Sequence, residues 1–387
     1  MRAQDAVFIG RPDHPQTAHA TVVFLCCGEP PSYLRSHEGV TFSNIAQRIA
    51  LLKGCAFAGE YDHCDNNPGW VYWVPSKTII GAEAANALGI FTDADLFGGV
   101  VPYAFVATKA IVHPVVAPEV CVPAGWSHEF AERVRDLVPV GFTAFTIADA
   151  RAAARLLLER GPIRLKPVHE AGARGQVVVS NPAGFDDALR AMDAAEIREH
   201  GLVIEENFDD PTIYSIGSVR ISDHMIAYYG TQRVTTDNFG CLVYGGSDLV
   251  VVRGDFDALL RFDLPQEAAL AAERAVGFDR AASELFPHFY ASRRNYDVIC
   301  GTDSCGRHRC GVLEQSWRIG GASGAELAAL EAFAAQPALA AVRASSIELF
   351  GDSEVPPSAA IVHFRGADDA LGFMTKYTLV EPYDDAR

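Results

Sequence analysis

Two carboxylates on a predicted hairpin have the spacing that a divalent cation requires. The segment 295–318 (NYDVICGTDSCGRHRCGVLEQSWR) has two β-rich runs around polar residues and glycine, which predict a turn centred on Cys305-Gly306. In that register Asp297 lies opposite Glu314. Opposed carboxylates repel unless a cation joins them, and Mg²⁺ binds one or two carboxylates together with substrate phosphates. The spacing therefore predicts a Mg²⁺ site.

The same register places further polar side chains beside the two acids. Asn295 lies opposite Ser316, and because side chains alternate along a strand, Ser316 and Arg318 share the face of Glu314. A bulge of one residue would break this pairing. The competing interpretation is an edge hairpin with solvated acids, or an ion pair of Asp297 with Arg294 or Arg318.

Cysteines around the turn raise the alternative of a zinc site. In the predicted register Cys300 and Cys310 point to opposite faces, Cys305 lies in the turn, and the spacing with His308 matches no standard zinc pattern. The chain has nine cysteines, an odd number, which favours reduced thiols over a disulfide framework. Two further sites, Cys26-Cys27 and His63-Cys64, could be core residues or reactive thiols, and the sequence does not decide between them.

A lysine followed by a glycine-bearing loop forms a second candidate site. In the segment 163–179 (IRLKPVHEAGARGQVVV), Lys166 lies on a predicted strand, and Gly172 and Gly175 lie in the loop before the next strand. Glycines let the backbone approach phosphates closely with its N–H groups pointing inward. The pattern differs from a Walker A loop and resembles a phosphate lid between two strands. An ordinary hairpin with a surface lysine is the alternative.

A third candidate follows the apolar strand at 202–208 (LVIEENF). Glu205 and Glu206 end this strand before a linker, which would suit a hinge that contacts an adenine edge. A strand that ends in solvated acids is the alternative.

The overall charge makes these basic residues informative. The formal net charge of −17 disfavours nucleic acid and anionic membranes as partners, so any phosphate site must carry local positive charge. Only five of the 32 basic residues are lysines. This scarcity directs attention to Lys109 and Lys166, because lysine provides a compact ammonium where arginine provides a planar fork.

Elements that would position these residues alternate along the chain. The length of 387 residues and 49% hydrophobic content indicate a globular protein of two or three subdomains. No apolar run is long enough to span a bilayer, and the N-terminus lacks the apolar centre of a secretory signal, so we expect a cytoplasmic enzyme. Predicted strands end at Cys27, Pro167, Ser180 and Glu205, and later strands cover 213–221, 225–229, 359–364 and 372–380. Predicted helices cover 42–54, 81–88, 149–160, 185–199, 265–285 and 324–341.

The order of these motifs resembles the ATP-grasp superfamily. RLKP with its glycine loop, VIEEN, a strand aspartate and LEQSWRIGGAS follow one another over roughly residues 105 to 323. The whole chain also looks like an ATP-grasp-related bacterial family of unknown function. The resemblance implies an α/β (α+β) ATP-grasp fold. It implies a Rossmann-like domain over 1–105, a first grasp subdomain over 106–205 and a second over 206–387.

The resemblance also implies roles for individual residues. Lys109 and Lys166 would contact ATP phosphates, and Asp297, Glu314 and Ser316 would bind Mg²⁺. Arg318 would face an acyl phosphate, with the Gly320-Gly321 loop near the acceptor. The implied nucleotide-binding residues are completed by Gly172, Arg174 and Gly175 in the lid and by Glu205, Glu206, Asn207 and Phe208 at the hinge.

Two positions depart from the family pattern. Ser316 stands where the family usually has Asn, which puts a second metal site in doubt. The acid expected to bind ribose is absent near Thr212, and Asp209 or Asp210 would have to substitute.

The implied reaction is ATP-dependent activation of a carboxylate as an acyl phosphate, followed by attack of an amine, or less often a thiol or hydroxyl. A small-molecule kinase and a nucleotide-binding protein without turnover are the alternatives. The substrates would be a small carboxylate and an amine, and a homodimer is the default assembly. Further candidate contacts to the acceptor or the carboxylate are Arg220, Arg233, Arg253 and the loop 244–248, with solvated arginines as the alternative.

Overall fold

The computed structural model describes residues 21–61, 70–168 and 175–383. Gly172 and Arg174 of the predicted lid lie outside the described residues, as do His63-Cys64 and the N-terminal segment 1–20.

The N-terminal region contains a parallel, Rossmann-like sheet of order β2-β1-β3. Helix α1 (His37–Lys53) packs on one face of it, where Val22 and Phe24 of the first strand are buried against the helix. Ser36 caps the start of α1 by accepting a hydrogen bond from Gly39 N–H, and Gly54 ends it in the left-handed conformation. The strands are β1 (Thr21–Leu25), β2 (Ala56–Glu60) and β3 (Val71–Pro75).

A second small sheet connects this region to the C-terminal half. Strands β4 (Ile79–Ile80) and β5 (Gly99–Val101) are parallel and are separated in sequence by helix α2 (Ala82–Ala87). On its other side β5 pairs with the short strand Tyr290–Ala291. The N-terminal region is therefore joined to the rest of the molecule by backbone hydrogen bonds.

The middle region is an antiparallel sheet of order β6-β9-β7-β8 with helices packed on it. Helix α4 buries Ala150, Ala153 and Leu157 against this sheet, which agrees with the apolar spacing of its sequence. The elements are α3 (His128–Arg133), β6 (Gly141–Ala144), α4 (Ile147–Leu158), β7 (Ile163–Pro167), β8 (Val177–Val179), α5 (Pro182–Arg190), α6 (Ala194–His200) and β9 (Leu202–Glu206).

Two predicted helices were too long. The segment 185–199 contains two helices, because Asp193 accepts a hydrogen bond from Ala195 N–H and caps a new helix there. The segment predicted to be helical as far as residue 341 leaves the helix after Ala335 and becomes a strand at Ala341.

The C-terminal half is built on an eight-stranded antiparallel sheet of order β15-β14-β10-β11-β12-β16-β18-β17. Helix α8 packs on one face and the almost completely buried helix α9 on the other, between the sheet and α1. None of the helices in the described ranges is both long and apolar enough to cross a membrane. The elements are β10 (Asp209–Ile221), β11 (His224–Thr236), β12 (Leu242–Arg253), α7 (Phe256–Leu260), α8 (Gln266–Leu285), β13 (Tyr290–Ala291), β14 (Arg293–Thr302), β15 (His308–Ser316), α9 (Ser323–Ala335), β16 (Ala341–Phe350), β17 (Ile361–Asp368) and β18 (Gly372–Pro382).

The hairpin β14–β15 pairs Asp297 with Glu314 as predicted, although the turn differs. Near the turn the register pairs Thr302 with His308, so the turn is one residue shorter than predicted and centres on Cys305. An irregularity between the Asp297 and Val298 pairs then shifts the register by one residue. The two offsets cancel, and the predicted acid pair is preserved.

The prediction for the cysteines of this hairpin was wrong. Cys300 and Cys310 lie directly opposite each other, with Cα atoms 4.1 Å apart, and form a disulfide. The shorter turn brings them into register, so they share a face instead of pointing to opposite faces.

Candidate active site

The acid pair lies on one face of the large sheet, which we call the site face. β14 contributes Arg293, Asn295 and Asp297 to this face, and β15 contributes Glu314 and Ser316. The alternation predicted from the sequence therefore collects these side chains at the edge of the sheet.

Asp297 is held by two hydrogen bonds and lies close to a second carboxylate. Gln232 donates a hydrogen bond to its Oδ2 at 2.8 Å and Ser215 to its Oδ1 at 3.4 Å. Burial, followed by the nearby Glu314 carboxylate, raises the pKa of Asp297 to about 7. A Mg²⁺ ion between the two carboxylates would relieve both effects and would find the hard oxygen ligands it prefers.

The other ligands of such an ion would have to come largely from outside the acid pair. No cluster of three or more His, Cys, Asp or Glu side chains suited to a metal occurs in the described ranges. Mg²⁺ commonly completes its coordination with phosphate oxygens and water, so the pair fits an ion that arrives with a nucleotide.

Lys109 completes this cluster. Its Nζ lies 3.0 Å from Glu314 Oε2, and its side chain is buried. It begins a 3₁₀ turn, Lys109–Val112, which Gln315 of β15 fixes by donating to the carbonyl oxygens of Val106 and Thr108. Sequence around Lys109 offered no carboxylate, because its partner lies on a distant strand.

A second ion-pair cluster is centred on Glu205. Lys166 Nζ lies 2.6 Å from Glu205 Oε1, and His113 Nε2 lies 2.9 Å from Glu205 Oε2. All three side chains are buried. Burial by itself raises the pKa of Glu205, but Lys166 and His113 outweigh it and hold the pKa at about 2. Glu205 is therefore ionised and stabilises the charge of Lys166.

One short turn connects the two clusters. The 3₁₀ turn begins at Lys109, which contacts Glu314, and is followed directly by His113, which contacts Glu205. Lys109 and Lys166 therefore each pair with a carboxylate, and these two carboxylates contact opposite ends of the same turn.

The hinge residues at the end of β9 and directly after it are largely engaged in hydrogen bonds. Glu206 Oε1 accepts from Val140 N–H at 2.8 Å, and Asn207 Oδ1 accepts from Arg164 at 2.8 Å. Phe208 is buried. These side chains fix the backbone of the hinge, and an adenine contact there would have to use main-chain atoms. At the far end of the lid, Gly175 has a φ of 66°, which favours glycine.

Arg293 occupies the part of the site face next to Ser316. Its Nη1 donates to Ser316 Oγ and to Ser316 O, both at 3.2 Å, and to Arg318 O at 2.7 Å. Its Nε and Nη2 donate to Glu326 of α9 at 2.8 to 3.1 Å. Ser316, which was predicted to bind the metal, therefore accepts hydrogen bonds from the buried guanidinium of Arg293.

Arg318 differs from the other basic residues of the site in having no carboxylate partner within the described ranges. Its Nη1 donates to Ile319 O at 2.8 Å, and its side chain is half-buried. A Cβ added at Gly320 would lie 3.9 Å from Arg318 Nη1 and 3.8 Å from Arg293 Nη1. The glycine loop thus leaves open space beside two guanidinium groups.

Three arginines proposed as acceptor contacts have local partners. Arg220 forms an ion pair with Asp93, and Arg233 forms one with Asp248. Arg253 donates to Phe333 O at 3.0 Å, at the C-terminal end of α9. Arg220 and Arg253 therefore connect elements that are far apart in the sequence, which is a structural role.

The prediction of a loop at 244–248 was wrong, because these residues lie within strand β12. Tyr244 lies against the Gly320-Gly321 loop, since a Cβ at Gly321 would meet its ring at 2.7 Å. Tyr244 therefore remains a candidate for the acceptor region. Asp209 and Asp210 are exposed at the start of β10, and their ribose role stays a prediction.

Sequence reasoning missed His113, Arg293 and Gln232. Arg293 could have been found from the sequence, because it lies two residues before Asn295 on the same predicted strand and therefore shares the face of Asn295 and Asp297. His113 and Gln232 reach the site only through the packing of distant elements, and no local pattern marks them.

Comparison with known proteins identifies the family to which this chain belongs. A family model described as a protein of unknown function, DUF3182, matches residues 29–378. The chain belongs to the DUF3182 family. No curated protein matches the sequence significantly.

Solved structures supply the fold. Phosphoribosylamine–glycine ligase from Thermotoga maritima is similar with a TM-score of 0.50 and 12% identity, over 94% of this chain and 92% of that protein. A second similar structure is the biotin carboxylase domain of the Hydrogenobacter thermophilus 2-oxoglutarate carboxylase, solved with MgADP, ADP and bicarbonate. Its TM-score is 0.48 and its sequence identity 13%, over 95% of this chain and 87% of that protein. This DUF3182 protein has the ATP-grasp fold with a Rossmann-like N-terminal region, as predicted.

Proposed function

We propose that this protein is an ATP- and Mg²⁺-dependent ligase that activates a carboxylate as an acyl phosphate and transfers the acyl group to an amine. The observation that supports this most strongly is the pairing of Asp297 with Glu314, which Lys109 contacts at 3.0 Å. Carboxylate ligands for a cation and an ammonium group suited to phosphate therefore lie together in a molecule whose net charge is −17.

The chemistry would proceed in two steps. A carboxylate oxygen of the substrate attacks the γ-phosphorus of ATP, the new O–P bond forms, and the bond to the β–γ bridging oxygen breaks to release ADP. The amine nitrogen then attacks the acyl carbon, phosphate leaves, and the nitrogen loses a proton. Alignment and charge neutralisation provide most of the catalysis in phosphoryl transfer.

The residues would divide these tasks. Asp297 and Glu314 would hold Mg²⁺, which neutralises charge on the β- and γ-phosphates when it is bound. Lys109 and Lys166 would contact phosphate oxygens, with Glu205 and His113 keeping Lys166 in place. Arg318 would stabilise the negative charge on the transferred phosphoryl group. The main chain of the hinge at 205–208 would contact adenine, and Gly172, Arg174 and Gly175 would cover the phosphates.

The proposal is tested by measuring phosphate release with ATP and Mg²⁺ across a panel of small carboxylates and amines. We expect release that requires one member of each class. Arg318→Met should lower the rate about 10²-fold or more, because it removes a charge that acts on the transition state. Arg151→Met, which removes a surface partner of Asp186, should not change it.

Two outcomes would contradict this assignment. Formation of ADP and a phosphorylated product without free phosphate would favour a small-molecule kinase. Full activity in Arg318→Met would remove Arg318 from the mechanism.

A further inference from the structure

Arg293 is a buried cation that the proposed reaction does not use. It is 1% exposed, and Glu326, with which it forms an ion pair, is fully buried at 0%. Tyr228 also donates a hydrogen bond to Glu326, and Asn295 donates to Tyr228 at 3.2 Å. A guanidinium in such a network stays protonated and cannot move away without leaving a buried carboxylate unpaired.

The orientation of Arg293 matters for the metal site. Glu326 lies on the Nε and Nη2 side of the guanidinium, so the Nη1 edge faces Ser316 and donates to its Oγ at 3.2 Å. A metal ion bound to the same oxygen would lie within a few ångströms of this positively charged edge. Repulsion between two cations is strong in a buried site, where solvent screens it little.

The negative charge of the carboxylates at this site is also enough for one Mg²⁺ ion only. Asp297 and Glu314 carry two negative charges at most, and Glu314 already contacts Lys109 at 3.0 Å. Ser316 adds a neutral oxygen only.

We propose that the site binds a single Mg²⁺, between Asp297 and Glu314, and that the Nη1 edge of Arg293 provides the positive charge beside Ser316 where a second ion would otherwise bind. This inference rests on the proposed function. It replaces the predicted role of Ser316: the serine would position Arg293 and would not bind metal.

The number of bound ions tests the inference directly. Mn²⁺ can replace Mg²⁺, and electron paramagnetic resonance counts bound Mn²⁺ on the full chain saturated with the β,γ-imido analogue of ATP. We expect one Mn²⁺ per chain in the wild type. Two ions per chain would overturn the inference and leave the proposed function standing, whereas no bound ion would overturn both.

Variants separate the effect of Arg293 from that of Ser316. Ser316→Asn alone should still bind one ion, because Arg293 remains in place; two ions would show that Ser316 sets the number and would overturn the inference. Ser316→Asn combined with Arg293→Met and Glu326→Met should bind two. The last two changes remove both members of the ion pair, so no buried charge is left unpaired.

Circular dichroism shows whether the triple variant is folded. A folded triple variant that still binds one ion would contradict the assignment to Arg293. If the triple variant does not fold, two ions in the wild type or in Ser316→Asn still overturn the inference.

Discussion

Glu205 pairs with two buried basic side chains. Its carboxylate compensates the buried ammonium of Lys166 and contacts His113. Removal of one partner of a buried pair leaves the other charge uncompensated, which is more damaging than loss of a surface pair.

Glu205→Gln should therefore lower the free energy of unfolding by roughly 3–5 kcal/mol at pH 7, as measured by urea denaturation. The control is Glu284→Gln, whose carboxylate pairs with Arg133 on the surface and should contribute less than about 1 kcal/mol. Equal effects of the two substitutions would contradict the central role of Glu205 in this cluster.

The pH dependence of the Glu205 contribution has a definite sign. The pKa of Glu205 is lowered from 4.5 to about 2 in the folded protein, so the folded state binds this proton more weakly than the unfolded state. The contribution is fully present above the unfolded value and is lost as the pH falls from about 4.5 to about 2. The difference in stability between wild type and Glu205→Gln should shrink over this interval.

Among the elements, strand β6 is shaped by the Glu205 cluster. Gly141 of β6 lies opposite Glu205, and a Cβ there would be 2.9 Å from Glu205 Cβ and from the ring of His113. Real Cβ atoms do not approach so closely, so the strand requires glycine at this position.

Gly141→Ala should destabilise the protein by about 1–3 kcal/mol, because the ring of His113 or the strand must shift. Gly184→Ala is the matched control. Its Cβ would lie 3.5 Å from the nearest atom in helix α5, so it should be neutral or stabilise by roughly 0.5–1 kcal/mol. Urea denaturation measures the stability of both variants. If Gly141→Ala had the same free energy of unfolding as the wild type, the cluster would be less tightly packed than described.

The elements also show how far sequence reasoning reached. The hairpin β14–β15 was predicted because its alternation and turn residues are local, and the Asp297–Glu314 pair followed from counting. The irregularity next to Asp297 leaves no local mark, since it depends on how the strand packs against its neighbours. The Cys300–Cys310 pair was missed because the turn is one residue shorter than predicted, and the acid pair was predicted correctly because the irregularity offsets this difference.

At the scale of the whole molecule, the N-terminal and C-terminal regions share an apolar core. Val22 and Phe24 of β1 belong to the same apolar cluster as Leu327 and Leu330 of α9, and β5 pairs with β13. We propose the domain division 1–105, 106–205 and 206–387, with the first and third parts packed together. Motif order predicted the fold class, but long-range contacts such as Lys109 with Glu314 depend on this packing and could not be derived from local spacing.

The measurement that tests the central claim most directly is thermal unfolding with ADP, with and without Mg²⁺, for the wild type, Glu314→Gln and Glu284→Gln. A ligand that binds only the native state raises the unfolding midpoint. We expect a shift that requires Mg²⁺ in the wild type and in Glu284→Gln and that is lost in Glu314→Gln. Absence of any shift at millimolar ADP and Mg²⁺, or an undiminished shift in Glu314→Gln, would contradict a Mg²⁺-nucleotide site at the Asp297–Glu314 pair.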